Sequence, residues 1–296
     1  MSRPVKLGLI SEGTNTWPIY VAQSLGLFVL EDIDVHVTLT GSSVKQQTAL
    51  IGGEFDIGFQ QADHVIRAVE SGSDLFIFMP HGYAPDLSLV AAPGVGGIAD
   101  LRGRIIAVDG ARTGYALLLR RLLRQDGLAD SDIAFKEFGG SRERYDAMKR
   151  GDAAASLLNA PFDADLIAVG YTMLARIGTR FPKYPGSVMA ARRDWARSHE
   201  AEVLGFVRAY DAAYAWLQNP ANSVQALSVL PAHLTIAPQA ARDALQSFAE
   251  RPRPKMSDEG LQQVIDIVWE AEGYLTPKGS PERYADLSYM KQALAT

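Results

Sequence analysis

The alternation of apolar and polar positions over the first sixty residues predicts a strand–helix–strand–helix–strand unit. Val5-Lys6-Leu7-Gly8-Leu9-Ile10 reads as a strand, and Pro18, close behind the polar Asn15 and Thr16, marks a helix start. That helix runs through Ala22 to about Gly26, a glycine suited to ending it. Asp34 to Thr38 is a second strand. Ser42 or Ser43 caps a helix that stops near Gly52-Gly53, and Phe55 to Phe59 is a third strand. Units of this order build parallel sheets with right-handed crossovers.

The same unit recurs. Ile105 to Val108 is a strand, and Tyr115, Leu118, Leu119, Leu122 and Leu123 form the apolar stripe of a helix. Ile133 to Phe135 is a strand, Ser141 caps a helix, and Ala153 to Leu158 is a strand. At an offset of 98 residues Asp32 meets Asp130, Asp34 meets Asp132, Gly41 meets Gly139, Ser43 meets Ser141, Ala49 meets Ala147, Gly53 meets Gly151 and Ala62 meets Ala160. The chain reads as two similar lobes.

After Pro161 the pattern changes. Phe181-Pro182-Lys183-Tyr184-Pro185 is a rigid, non-helical stretch, and Ser187 to Ala191 fits a strand returning to the first lobe. Helices are predicted over Glu202 to Leu217, Pro238 to Phe248, Ser257 to Glu270 and the last dozen residues, on the outside of the first lobe. The expected fold is α/β: two doubly wound lobes with a hinge and an interlobe cleft, plus extra C-terminal helices. Residues 1–85 and 187–296 make lobe one, and 86–186 lobe two.

Composition narrows the function. The 296 residues are 47% hydrophobic and carry a net charge of -5 with no basic face, which argues against a nucleic-acid partner. There are no cysteines, so disulfides, thiolate metal sites and a cysteine nucleophile are excluded. No apolar run approaches the ~20 residues of a membrane span, so direct membrane insertion is not expected. Met1-Ser2-Arg3-Pro4 leads straight into Val5 to Ile10, too short for a signal-peptide core. The location is therefore periplasmic if a signal peptide has been removed, and otherwise cytoplasmic.

Ligands of open parallel sheets bind beyond the carboxyl ends of the strands, and a gap between two lobes is a favoured place for a small molecule. The loops after the first strands hold Asn15, Thr16 and Trp17 in one lobe and Arg112, Thr113, Gly114 and Tyr115 in the other. Each puts hydroxyls and free backbone N–H groups at a helix N-terminus, which favours an anion, and each adds an aromatic ring. After the third strands come Gln60-Gln61 and Asn159, amides that fix a polar ligand without charge. His64 and His81-Gly82-Tyr83 lie near the same rim. Plainer roles exist for each: Thr16 and Thr113 as helix caps, Trp17 as a packed staple, Gln61 and Asn159 as partners of loop backbone, His64 as a capping or surface residue, Gly114 as a close-packing position, and Arg112 as a solvated charge.

Several segments resemble a known family. Ala22-Gln23-Ser24-Leu25-Gly26-Leu27-Phe28, Gly53-Glu54-Phe55-Asp56-Ile57-Gly58-Phe59, Ile98 to Val108 and Asn159-Ala160-Pro161-Phe162 are similar, in order and spacing, to motifs of nitrate/sulfonate/taurine-type substrate-binding proteins of ABC importers. That group has relatives that bind thiamine-precursor pyrimidines. The resemblance covers about residues 5 to 220. It implies the type II periplasmic-binding-protein fold with two chain crossings at the hinge, and ligand contacts at Asn15, Thr16, Trp17, Gln61, Thr113, Gly114, Tyr115 and Asn159. Ala154 departs from the acidic residue common there, and the cysteine-rich segment of the related pyrimidine-synthesising enzymes is absent.

The leading expectation is reversible binding of a small organic anion, aromatic or bearing a sulfonate or carboxylate, as the substrate-binding component of an ABC importer. No catalytic residue, metal or cofactor is assigned, and the expected partners are the ligand and the importer's membrane subunits. The alternatives are a cytoplasmic enzyme resembling aromatic-acid decarboxylases, with His64 or His81 as acid or base, and a ligand sensor. There is no His-x-x-x-His pair, nucleophile elbow or carboxylate cluster at the strand ends to favour an enzyme.

Overall fold

Ten strands among the described residues sort into two five-stranded sheets that do not follow chain order. The structure, a computed structural model, describes residues 3–81, 85–233 and 238–295. The first sheet runs β2 (Ile33–Leu39), β1 (Arg3–Leu9), β3 (Ile57–Gln61), β10 (Ser187–Arg192), β4 (Leu75–Pro80). The second runs β7 (Ala134–Glu137), β6 (Ile105–Val108), β8 (Ala155–Leu158), β5 (Ser88–Ala91), β9 (Thr172–Arg176). In each sheet the second strand is parallel to both of its neighbours, and the fourth strand is antiparallel to both of its own. The two sheets therefore share one pattern; the antiparallel β10 rejoins its sheet after the chain has built the second unit, whereas the antiparallel β5 is the first strand of its own unit.

The repeat extends to helix boundaries. Helix α3 (Ser43–Gly52) and helix α6 (Ser141–Arg150) start and stop at the same 98-residue offset. Both end on a left-handed glycine, Gly53 at φ 82° and Gly151 at φ 79°, a conformation that strains any residue with a Cβ. Ser42, not Ser43, caps α3 by accepting from the Lys45 N–H, and Ser141 is the first residue of α6, with Gly140 at the cap position.

The first compact unit comprises Met1–His81, Ser187–Lys255 and Ser280–Thr296. Its helices are α1 (Trp17–Ser24), α2 (Leu27–Leu30), α3, α4 (Ala62–Glu70), α9 (Arg193–Ser198), α10 (Glu200–Gln218), α11 (Ser223–His233), α12 (Pro238–Ala249), α14 (Pro281–Tyr284) and α15 (Ser288–Ala293). Alternation along the strands assigns the two faces of its sheet. Ile57 and Phe59 join Leu7, Leu9, Trp17, Phe206, Tyr210 and Phe248 in one core, each large side chain contributing ~1.5–3 kcal/mol by burial. Gly58 points the other way, where a Cβ would lie 2.7 Å from the Leu50 side chain of α3. Only a glycine lets that helix settle so close.

The second unit comprises Gly82–Gly186 and Met256–Gly279, with helices α5 (Gly114–Gln125), α6, α7 (Phe162–Ala168), α8 (Ile177–Arg180) and α13 (Asp258–Glu272). Here the structure departs from the sequence reading. Helix α13 packs on α5 of the second unit, not on the first, and Arg112 and Arg124 of α5 and its loop pair with Glu272 and Glu270. A Cβ on Gly260 would stand 1.9 Å from the Lys183 carbonyl oxygen, so this glycine allows α13 to dock. The chain passes between units four times, after residues 81, 186, 255 and 279, rather than twice.

Candidate functional site

In the second unit the carboxyl edge of the sheet holds a buried cation. Arg144 on α6 is 7% exposed. Its Nη1 donates to the Gly139 carbonyl (2.8 Å), and its Nη2 to Ser141 Oγ and the Leu157 carbonyl (both 3.2 Å). Its Nε has no partner, and it makes no ion pair among the described residues. Burial pulls its pKa down from the usual guanidinium range, while the charges of Asp109 and Glu143 act against this. Gly139 lies just past β7, Leu157 is the penultimate residue of β8 and Asp109 lies just past β6, so the guanidinium sits at the carboxyl edge of this sheet, the edge at which open parallel sheets take ligands.

The neighbouring loop is locked by Thr113. Its hydroxyl accepts from the Ala116 N–H (3.3 Å) as the cap of α5 and donates to Asp109 Oδ1 (2.7 Å). Gly114 is buried as the first residue of α5, and Tyr115 beside it is half-buried. The positive end of the 12-residue α5 thus adds to the Arg144 charge. Asn159 is half-buried after β8, its amide donating to the Ala160 carbonyl (3.2 Å). Arg112, by contrast, is 70% exposed and paired with Glu272.

In the first unit the corresponding edge is neutral and amide-rich. Gln46 on α3 is fully buried, and its Nε2 donates to the Phe59 carbonyl (2.6 Å), leaving Oε1 without a partner. Gln60, two residues beyond Gly58 and on the same face, is 1% exposed with both amide atoms unpartnered. Asp63 in the first turn of α4 pairs with Arg67 through Oδ2, but its Oδ1 has no partner. His64 is buried, with Nε2 3.9 Å from Asp63 Oδ2 and Nδ1 unpartnered. Gln61 is half-buried at the cap position of α4.

A second group forms around His81, just after β4. Its Nδ1 hydrogen-bonds the Tyr210 hydroxyl of α10, and its ring lies edge-on to Phe59 at 4.6 Å. Burial, with the Arg251 charge adding, pushes its pKa down to about 3. Burial likewise raises that of Tyr210. The imidazole is therefore neutral across the physiological range.

The structure gives several predicted residues other duties. Trp17, expected to show a ring to the ligand, is 0% exposed and packs edge-on to Phe248 at 6.1 Å within the core. Only its unpartnered Nε1 keeps any capacity for a polar contact. The buried Thr16 hydroxyl donates to the Gly13 carbonyl (2.8 Å) and accepts from the Gly13 N–H (3.3 Å), holding the turn, with Asn15 half-buried beside it. Gly82 and Tyr83 lie outside the described residues. Sequence reasoning missed Gln46, Arg144 and Tyr210, and ranked Gln61 above Gln60. Parity was the available signal: Gln60 shares its strand face with Gly58.

Among the described residues no group of three or more His, Asp or Glu side chains is arranged to hold a metal, and no helix is long and apolar enough to cross a membrane.

Comparison with known proteins adds a family and a fold. A family model described as NMT1/THI5 like matches residues 13–223, more than half of the chain. No curated protein matches in sequence. The ligand-binding component of an ABC-type import system from Staphylococcus aureus superposes with a TM-score of 0.83 at 13% identity, covering 100% of both chains. The periplasmic aliphatic sulphonate-binding protein SsuA from Escherichia coli gives 0.75 at 22% identity, covering 96% of this chain and 97% of that one. The desulfurization enzyme DSZB gives 0.69 at 14% identity, covering 99% of each. The fold is thus the periplasmic-binding-protein fold, and proteins that share it include both solute binders and an enzyme.

Proposed function

Since this chain belongs to the NMT1/THI5-like family, we propose that it is the substrate-binding component of an ABC-type importer, taking a small organic anion against Arg144. The observation that carries this reading is the buried guanidinium of Arg144, with an unpartnered Nε and no ion pair to a carboxylate among the described residues. Removing an ion from water costs several kcal/mol, and carbonyl acceptors return only part of that. A bound sulfonate or carboxylate offsets the remainder, each charge-assisted hydrogen bond adding ~1.5–3 kcal/mol. The α5 N-terminus beside it favours the same charge. Structural neighbours described as sulphonate-binding and as import components support the assignment.

In this role the liganded protein delivers its cargo to the importer's membrane subunits and works in the periplasm. Burial of Trp17 removes half of the sequence argument for a ring-bearing ligand, so the anionic group, not an aromatic ring, defines the class. Isothermal calorimetry against alkyl and aryl sulfonates and carboxylates is expected to find at least one member with Kd near ~1 µM, about −8 kcal/mol. Absence of heat for the whole panel overturns the reading.

The enzyme reading has one support, the shared fold of the desulfurization enzyme. The site argues against it. Burial holds His81 neutral at physiological pH, which leaves it without a proton to give and weakens it as a base.

A further inference from the structure

The polar atoms left over in the first unit differ in kind from the cation of the second. Gln46, Gln60, Asp63 and His64 are each more than nine-tenths buried, and together they carry five side-chain atoms without partners. They come from one strand end, the first turn of the helix that continues it, and the adjoining helix α3. Two hydrogen bonds tie α3 to that segment, from Gln46 Nε2 to the Phe59 carbonyl (2.6 Å) and from Gln47 Nε2 to the His64 carbonyl (2.7 Å). The first of these fixes the orientation of the Gln46 amide, so its free atom is an acceptor. The free Asp63 Oδ1 is an acceptor too, and its charge is already balanced by Arg67. Gln60 offers a complete amide edge, one donor beside one acceptor.

We infer that these residues form a recognition site for a neutral amide-type group, a primary carboxamide or a urea, read by the Gln60 amide edge. An amide edge pairs two-fold with a group that presents one N–H donor next to one acceptor, as glutamine does with the edge of a base. The second N–H of a primary carboxamide or urea then has Asp63 Oδ1 and Gln46 Oε1 to receive it. A carboxylate supplies no donor for these acceptors, and an ammonium supplies no acceptor for Gln60 Nε2. The set therefore selects against both charged groups. The inference rests on the solute-binding reading of this protein, but on a different unit and a different chemistry from Arg144.

The test uses two monofunctional probes, benzamide and benzenesulfonate, titrated separately into the full chain and followed by calorimetry. Benzamide binding that weakens at least tenfold in Gln60→Met, with benzenesulfonate binding unchanged, is the expected result. In Gln60→Glu the donor becomes a second acceptor, so preference is expected to move at least tenfold from benzamide toward benzamidine. A misfolded variant cannot produce that gain. Sulfonate binding without any amide binding overturns this inference and leaves the anion reading standing. Amide binding that is indifferent to both substitutions also overturns it. Absence of binding by either probe overturns this inference, while the anion reading falls only when the whole sulfonate and carboxylate panel is silent.

Discussion

Gln46 and Arg144 occupy the same place in two copies of one strand–helix unit. The 98-residue offset carries Gln46 onto Arg144 and Phe59 onto Leu157, and each side chain donates to its matching strand carbonyl. The repeat thus keeps a hydrogen bond that pins the helix to the strand end, while the group that makes it changes from an amide to a guanidinium. The surroundings change with it. Asp109 and Glu143, whose charges support the buried Arg144, correspond to Ser11 and Lys45 in the first unit. A cation at position 46 would lack that support and meet a like charge. The fold needs a donor to a strand carbonyl at both places; the charge is extra in the second unit, and the proposed anion accounts for it.

The most severe way to break this comparison is to give the second unit the first unit's residue. Arg144→Gln keeps a donor for the Leu157 carbonyl and removes the charge. Sulfonate affinity is expected to fall by about a hundredfold, roughly 2–3 kcal/mol, while unliganded stability moves by less than ~1 kcal/mol. Calorimetry and denaturant unfolding on the same samples check both halves. A large loss of stability with affinity unchanged would assign Arg144 a structural duty alone.

Acid sharpens the contrast from the first unit. His81 folds as a neutral imidazole, its pKa pushed from 6.5 to about 3, so the unfolded chain takes the proton first as pH falls. The stability contribution is complete above about pH 6.5 and is lost progressively toward pH 3, at up to about 1.4 kcal/mol per pH unit. In His81→Gln, which still offers an acceptor to the Tyr210 hydroxyl, unfolding measured from pH 7 to pH 4 is expected to lose most of that slope. A slope equal to that of the parent protein would move the acid sensitivity to other groups.

A smaller effect is expected at Gln60. Two buried, unpartnered amide atoms are a standing cost, so Gln60→Met is expected to leave the unliganded fold as stable as before or more stable by up to ~1 kcal/mol. A loss above ~2 kcal/mol in chemical denaturation would mean that the amide has a structural partner after all.

Much of this was legible before any coordinates. The serines at 42, 43 and 141 placed the starts of α3 and α6 to within a residue, and the glycines at 52 and 53 placed the stop of α3, because left-handed caps and polar N-termini are written in single side chains. Helices α10 and α12 were also readable from their periodicity. Strands β4, β5 and β9 were not. Leu75-Phe76-Ile77-Phe78-Met79-Pro80 is buried throughout, so it has no alternation to announce a strand. Ser88 to Ala91 is likewise wholly buried and only four residues long. The place of α13 was hidden because its docking depends on a distant partner, the Lys183 carbonyl against Gly260. The loops of the site were found, but their roles were not. Thr16, Thr113 and Trp17 have the residue types of ligand contacts, and the structure spends them on turns, a cap and the core. Arg144 lies at the first turn of α6, where a sequence shows an ordinary helix-surface charge, and only its burial sets it apart.

The central claim is that the Arg144 guanidinium exists to meet an anion, and its Nε–H reports on this directly. In a ¹H–¹⁵N spectrum of the arginine side chains, titration with the best sulfonate or carboxylate of the panel should move the Arg144 Nε–H resonance and slow its exchange with water, as a free donor gains an acceptor. A resonance that stays in place while the protein saturates with ligand would show that the anion is held elsewhere, and the account would fail.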